Sequence, residues 1–420
     1  MKQLFLILAI IGLYGTMTNL FMISPIPSLI SAILVPLILF SIITRRKIPK
    51  MVFWLILYFL ISFISILIYY PQSFSYFTFY RFDGNFIISY LPLLVLPFFS
   101  ANLNIEKIFK YLLYFVTIIN IINLAWYYYV GASPYFGFFT ATNAAGGFFS
   151  IMASLAFVYF LRRKTYWNLL LFLLQIVFLI FTTSRGSMFG LSLGIFFFLC
   201  VKYRKSYFIT LSILTIIVVQ IYLFFTFYPI YENNFKHLPK DDFYLAVGNY
   251  IHNNHGYVDG KTANILIRLY DTWPRGVDTF INSPLVGAGF GSINDIPFKY
   301  ETVIPNLIRI NNQDSIQFSS SHAHHSFLHI LGEQGIIGLI VFLMFWISIY
   351  KFLLRNGQNP QIRNFLLISF FNLTVMSFTE HRITTPSNAL PFVLALGIYY
   401  VYVNHQKKLE EEVAFPEKNE

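Results

Sequence analysis

Charge is what this sequence has least of. Asp, Glu, Lys and Arg make up 11% of its 420 residues, where soluble domains carry about 25%. A chain so poor in charge, and 57% hydrophobic, cannot cover its apolar surface in water. That excludes disorder, a soluble nucleic-acid binder and a secreted disulfide scaffold. Cysteine is nearly missing too: Cys200 stands alone in an apolar run, so no internal disulfide forms and the redox compartment is left open. There is no internal repeat and no low-complexity tract. A cleavable signal peptide is not expected, because the first apolar run follows Lys2 directly and has no small-residue cleavage site, so it stays as an anchor.

What is present is apolar length. A helix crosses the hydrocarbon core with roughly 20 apolar residues. Runs of that kind lie at 4–22, 26–43, 52–70, 86–99, 108–130, 142–161, 167–183, 187–201, 206–226, 325–350, 364–379 and 386–403. The expectation is an all-α integral membrane protein with about twelve transmembrane helices. Nine spans fall within 1–226, one large loop with short helices of its own occupies 227–324, three spans fill 325–403, and 404–420 is a tail.

The net charge of +11 takes its meaning from placement. Arg45, Arg46, Lys47 and Lys50, then Lys107 and Lys110, Arg162 to Lys164, Lys202 to Lys205, and Lys351, Arg355 and Arg363 fall on alternate loops. Basic short loops stay in the cytoplasm, which puts both termini and the tail inside. The inside then holds 19 Lys+Arg and 6 Asp+Glu, the outside 10 and 12. The basic excess orients the chain in the bilayer; it does not call for a polyanion or nucleic acid.

The outer side carries the chemistry. The 227–324 loop is broken by Pro229, Pro239, Gly248, Gly256, Gly260 and Pro274, and the segment 262–282 has helical apolar spacing through Ile265, Leu266, Leu269 and Trp273. Loops of such length are usually functional. Eight of nine histidines fall on this side, four of them in His322-Ala323-His324-His325-Ser326-Phe327-Leu328-His329. A helix from about 324 would make Ser319, Ser320 or Ser321 its N-cap and offer free N–H groups to an anion. His325, His329 and Glu333 would share one stripe, a spacing open to zinc ligation or to a polar interfacial helix start. An imidazole at His324 also suits proton abstraction from a hydroxyl.

Arg185, in Thr182-Thr183-Ser184-Arg185-Gly186-Ser187, sits at an outer hairpin tip where positive-inside logic disfavours it. It either snorkels to lipid headgroups or holds a phosphate with its fixed fork. Arg268 and Arg275 lie on the loop helix, with Asp271 and Asp278 as ordinary partners. Arg81 with Asp83, and Glu380-His381-Arg382, are weaker groups that also read as solvated loop pairs.

The order of these features resembles the O-antigen ligase and O-antigen polymerase superfamily: a Ser-Arg-Gly hairpin, one large outer loop with an Arg-led helix, Pro284-Leu285-Val286-Gly287-Ala288-Gly289, then His324-His325-Ser326-Phe327-Leu328 and Glu333-Gln334-Gly335-Ile336-Ile337-Gly338. The motifs cover roughly 166–345; residue 325 departs, since the family usually has Asn there. The resemblance implies an inverting, metal-independent glycosyltransferase without cofactor in a bacterial cytoplasmic membrane, its active site facing outward. The implied donor is a glycan on undecaprenyl diphosphate and the partner a glycan acceptor, with a chain-length regulator and a flippase as further partners. Arg185 and Arg268 would hold the diphosphate and His324 would activate the acceptor hydroxyl, with Arg81, Arg275, His322, His325, His381 and Arg382 as secondary candidates. A repeat-unit polymerase is the favoured reading, with a glycan ligase as the alternative and a transporter or flippase behind both.

Overall fold

Twenty apolar residues in lipid leave the backbone no partner but itself, so such segments become helices. The computed structural model describes residues 2–18, 48–69, 84–131, 134–139, 141–238, 240–289 and 323–414, and among them every regular element is helical. The 26–43 run, Arg81, Asp83, His322 and Ser319 to Ser321 lie outside the described residues.

In chain order the helices are α1 (Lys2–Met17), α2 (Lys50–Tyr69), α3 (Gly84–Val95), α4 (Ile105–Tyr129), α5 (Thr142–Arg162), α6 (Tyr166–Phe181), α7 (Arg185–Lys202), α8 (Tyr207–Asn234), α9 (Lys240–His255), α10 (Gly260–Ile267), α11 (Trp273–Asn282), α12 (Ser326–Arg355), α13 (Pro360–Met376) and α14 (Pro386–Ala414), with a π turn at Arg268–Thr272 between α10 and α11. Their ends follow local chemistry. Asn104, Thr165 and Asn359 accept the backbone N–H three residues on and cap α4, α6 and α13; Pro360 fills the first position of α13, where no N–H is needed.

Among the described residues six helices, α2, α4, α5, α7, α8 and α12, are long and apolar enough to cross a membrane, so this is a multi-pass membrane protein. They pack unequally. Some 72% of α5 is buried inside the protein but 11% of α8, which makes α5 a central post and α8 a peripheral one. α5 is flanked by α6, α7, α13 and α14, while α2 lies along α12 and α3 along α14. Between α7 and α13 the approach is close, because Gly190 and Gly194 face Asn372, Met376 and the Ile368 carbonyl.

α8 continues to Asn234, two turns past the expected end of its span, and the rest of the described loop folds against it. Tyr231 and Phe235 from α8 meet Val247 and Ile251 of α9 and Tyr270 of the π turn in a small core separate from the bundle. α11 then packs on α12.

α12 is broken at Gly335, whose backbone (φ 65°, ψ −168°) leaves the helical region. The loop after α11 fills the break. Ala288 N donates to Gly332 O at 3.0 Å and Gly289 N to Glu333 O at 3.1 Å, while Ile336 N donates to Pro284 O at 2.9 Å and Ile337 N to Leu285 O at 3.2 Å. The backbone groups freed by the kink are thereby satisfied, as burial requires. A Cβ at Gly287 would overlap the Glu333–Gln334 peptide, and one at Gly335 would overlap the Leu285 carbonyl. Both glycines also hold positive φ, so the interlock depends on them twice over.

Candidate functional site

Five chain segments distant in sequence end at one place: the start of α5, the Ser184 turn before α7, the π turn, the residues just before α12, and the 377–385 turn between α13 and α14. Their hub is Glu380, which is 8% exposed. Arg268 donates through Nη2 to Glu380 Oε1 at 2.5 Å and through Nη1 to Thr379 O at 2.9 Å. His324 Nδ1 lies 3.4 Å from Glu380 Oε2, and Asn143 Nδ2 donates to Oε1 at 3.4 Å. The turn is stitched to α12 by Ser326, whose Oγ donates to Glu380 O at 3.2 Å and accepts Arg382 N at 2.8 Å.

Arg382 lies behind this carboxylate, 1% exposed. It donates to Asn143 O, to Asn388 Oδ1 at 3.0 Å and to Ser184 Oγ at 3.4 Å, tying α5, α7 and α14 together. The two arginines therefore divide the work: Arg382 is an interior clamp, whereas the side chains of Arg268 and His324 keep 18% and 23% exposure and face outward from the hub. Burial by itself would raise the Glu380 carboxyl. The His324 hydrogen bond and the charges of Arg382 and Arg268 outweigh it and hold the group down at about 2. A fixed negative charge thus orients one guanidinium and one imidazole side by side.

Arg185 completes the group. It opens α7 and is exposed, and among the described residues it has no hydrogen-bond or ion-pair partner. A Cβ built at its neighbour Gly186 would lie 3.6 Å from Thr379 Oγ1 and 3.7 Å from the Glu380 side chain, which puts the start of α7 at the edge of the cluster. Such an arrangement can accept an anion from the outside and a proton at the imidazole.

Residues 169–343 match the O-antigen ligase family. The matched segment contains Arg185, Arg268 and His324. No curated protein matches the chain.

Within the matched segment, His325 answers the question raised by its departure from asparagine. It is the N-cap of α12: its Nδ1 accepts Leu328 N–H at 3.0 Å, as an asparagine oxygen would. That fixes the tautomer, so Nε2 carries the proton and donates to Gln220 Oε1 at 3.0 Å, while Gln220 Nε2 donates to Phe378 O at 2.6 Å. Both imidazole nitrogens are spent, which removes His325 from any shared ligand stripe with His329 and Glu333. The helix starts at Ser326, later than the sequence spacing suggests, and the expected serine caps are displaced by His325. Ser326 N already donates to Ser377 O, so the first turn of α12 offers fewer free N–H groups to an anion than expected. His324, just before the cap, holds a left-handed backbone (φ 46°), uncommon for a residue with a side chain.

The other candidates divide. Arg275 Nε sits 3.7 Å from Asp271 Oδ1, one of its expected partners, and away from the hub. Asp278 instead takes Lys236 at 2.7 Å and Tyr228 at 3.0 Å. His381 meets His329 edge to face with ring centroids 4.3 Å apart, and His329 Nε2 pairs with Glu333 at 3.2 Å inside the bundle. Asp271 is 1% exposed; burial pushes its carboxyl up, with Arg275 and His324 pulling it back. Sequence reasoning missed Glu380 as hub and Asn143, Ser184 and Gln220 as supports. The available signal was an acid directly followed by two bases at the end of an apolar run.

Proposed function

We propose that the protein is a polysaccharide polymerase that joins undecaprenyl-diphosphate-linked repeat units at the outer face of a bacterial cytoplasmic membrane. The observation that carries this reading is the Glu380-centred placement of Arg268 beside His324, with unpaired Arg185 at its edge. An acceptor hydroxyl attacks the anomeric carbon of the donor sugar from the face opposite the diphosphate, with inversion. The new C–O bond forms as the bond to the diphosphate oxygen breaks. His324 takes the hydroxyl proton, and the electron pair leaves with undecaprenyl diphosphate, whose developing charge meets Arg185 and Arg268. Cations already in place supply this stabilisation without reorganisation.

The orientation that serves this reaction has both termini in the cytoplasm. Among the described residues, the six long spans, the three shorter apolar helices, α13 and α14 supply eleven of the expected crossings. The 227–324 loop then stands outside as a unit of its own, where a flippase delivers the donor and a chain-length regulator meets the product. The family description favours a second reading, transfer of finished glycan to a lipid, wall or protein hydroxyl, which uses the same chemistry.

Deleting the gene separates the two. A polymerase loss leaves single repeat units on undecaprenyl diphosphate. Accumulation of full-length, unattached lipid-linked polymer in the deletion strain would instead establish the ligase.

A further inference from the structure

The π turn does more than carry Arg268. An inserted residue of this kind re-aims a helix and is frequent at functional sites. Here one five-residue element has Arg268 at its start, bound to Glu380, and Asp271 near its end, lining a separate cavity. The cavity, about 230 Å³, opens between α9, α10 and the π turn. Its walls are mixed: Ile251 and Val258 are apolar, while His252, Tyr257 and Asp271 are polar. Tyr257 is 94% exposed and stands at the rim.

Asp271 is the informative member. Its Oδ1 is buried and makes no hydrogen bond, and the approach of Arg275 Nε at 3.7 Å is too long to be one. A buried carboxylate oxygen left without a donor is unfavourable unless something supplies one. A sugar hydroxyl is such a donor, and a sugar ring also presents apolar C–H faces to walls like these. The volume lies below that of drug-sized pockets, roughly 300–1,000 Å³, and suits a single ring. Asp271 and Arg268 share the one π turn, and Arg268 is bound to Glu380, so the cavity adjoins the element that carries the Glu380 cluster.

We propose that this cavity is the subsite for the terminal sugar ring of the acceptor glycan, with Asp271 accepting a hydrogen bond from one of its hydroxyls. The assignment to the acceptor rests on the transfer reading above, since the donor diphosphate is allotted to Arg185 and Arg268.

Gly248 provides the test. It lines the cavity from within α9, and a Cβ placed there meets nothing within 4 Å. Gly248→Phe therefore fills the space without displacing backbone, and phenylalanine or alanine in place of glycine favours the helix; Gly248→Ala is the control that leaves the cavity largely open. The probe is an unphosphorylated repeat-unit oligosaccharide released from the producing strain's own polysaccharide, which can accept but cannot donate. Calorimetry on the full-length protein in nanodiscs should show Gly248→Phe weakening its binding by about tenfold or more, with Gly248→Ala near wild type. In transfer assays the acceptor KM should rise in step while the donor KM stays put. Unchanged oligosaccharide binding in Gly248→Phe overturns the proposal, and so does a rise confined to the donor KM. A wild-type protein that transfers nothing sinks the transfer reading, and the binding arm still decides the cavity.

Discussion

Exchanging Arg185 for alanine should lower glycan transfer by about 100-fold or more while leaving thermal stability where it is. The two halves of that result have separate causes. Arg185 is exposed and unpartnered among the described residues, so its removal breaks no contact, and surface changes of that kind stay within about 0.5 kcal/mol. Its contribution is confined to the charge that develops on the leaving diphosphate, where losing one fixed donor typically costs 100-fold to 1,000-fold in rate. Arg185→Lys should fall between, because lysine keeps the charge but not the planar two-donor fork. Turnover of a defined lipid-linked donor, measured beside a thermal-shift curve, checks both halves. A rate unchanged in Arg185→Ala would return this residue to a headgroup contact.

Glu380→Gln should fail differently, losing stability and transfer together. Glutamine keeps the shape of the side chain but strands Arg268 and the interior Arg382 without their anion. Breaking a buried pair by removing one partner costs roughly 3–5 kcal/mol. Transfer should also fall by at least about 100-fold, because His324 loses the group that orients it and Arg268 is no longer held beside it. The pH dependence is specific. The Glu380 carboxyl is held at about 2, against 4.5 for the free group. Its stabilisation is therefore complete above pH 4.5 and is lost as pH falls from there toward 2. The gap in melting temperature between wild type and Glu380→Gln should be widest near neutrality and close across that acid window. A gap that stays constant down to pH 3 would show that the carboxylate charge is not what holds the turn.

How far these features could be read in advance depends on the kind of signal each leaves. Spans are legible because lipid demands long apolar runs, and α2, α4, α5, α7, α8 and α12 fall where those runs lie. Arg185 stood out because a cation at an outer hairpin tip contradicts the charge rule followed by the other loops. Arg268 was visible as a residue but not in its pairing: local spacing points to Asp271, whereas the partner is Glu380, 112 positions away. No periodicity encodes a contact of that range. The cap of α12 was misplaced for a related reason. Three serines in a row are good caps by type, yet His325 takes the role because Gln220 on α8 fixes its second nitrogen. The break at Gly335 is likewise silent in sequence until the 283–289 loop is seen lying in it.

In the proposed reaction the Glu380 cluster performs glycosyl transfer and His324 receives the acceptor proton. The most direct measurement is conversion of a defined undecaprenyl-diphosphate oligosaccharide by purified wild-type protein and by His324→Ala, each with EDTA present. Chain extension is expected from the wild type, with a rate lower by about 100-fold to 10,000-fold in His324→Ala. Extension by His324→Ala at the wild-type rate would contradict it.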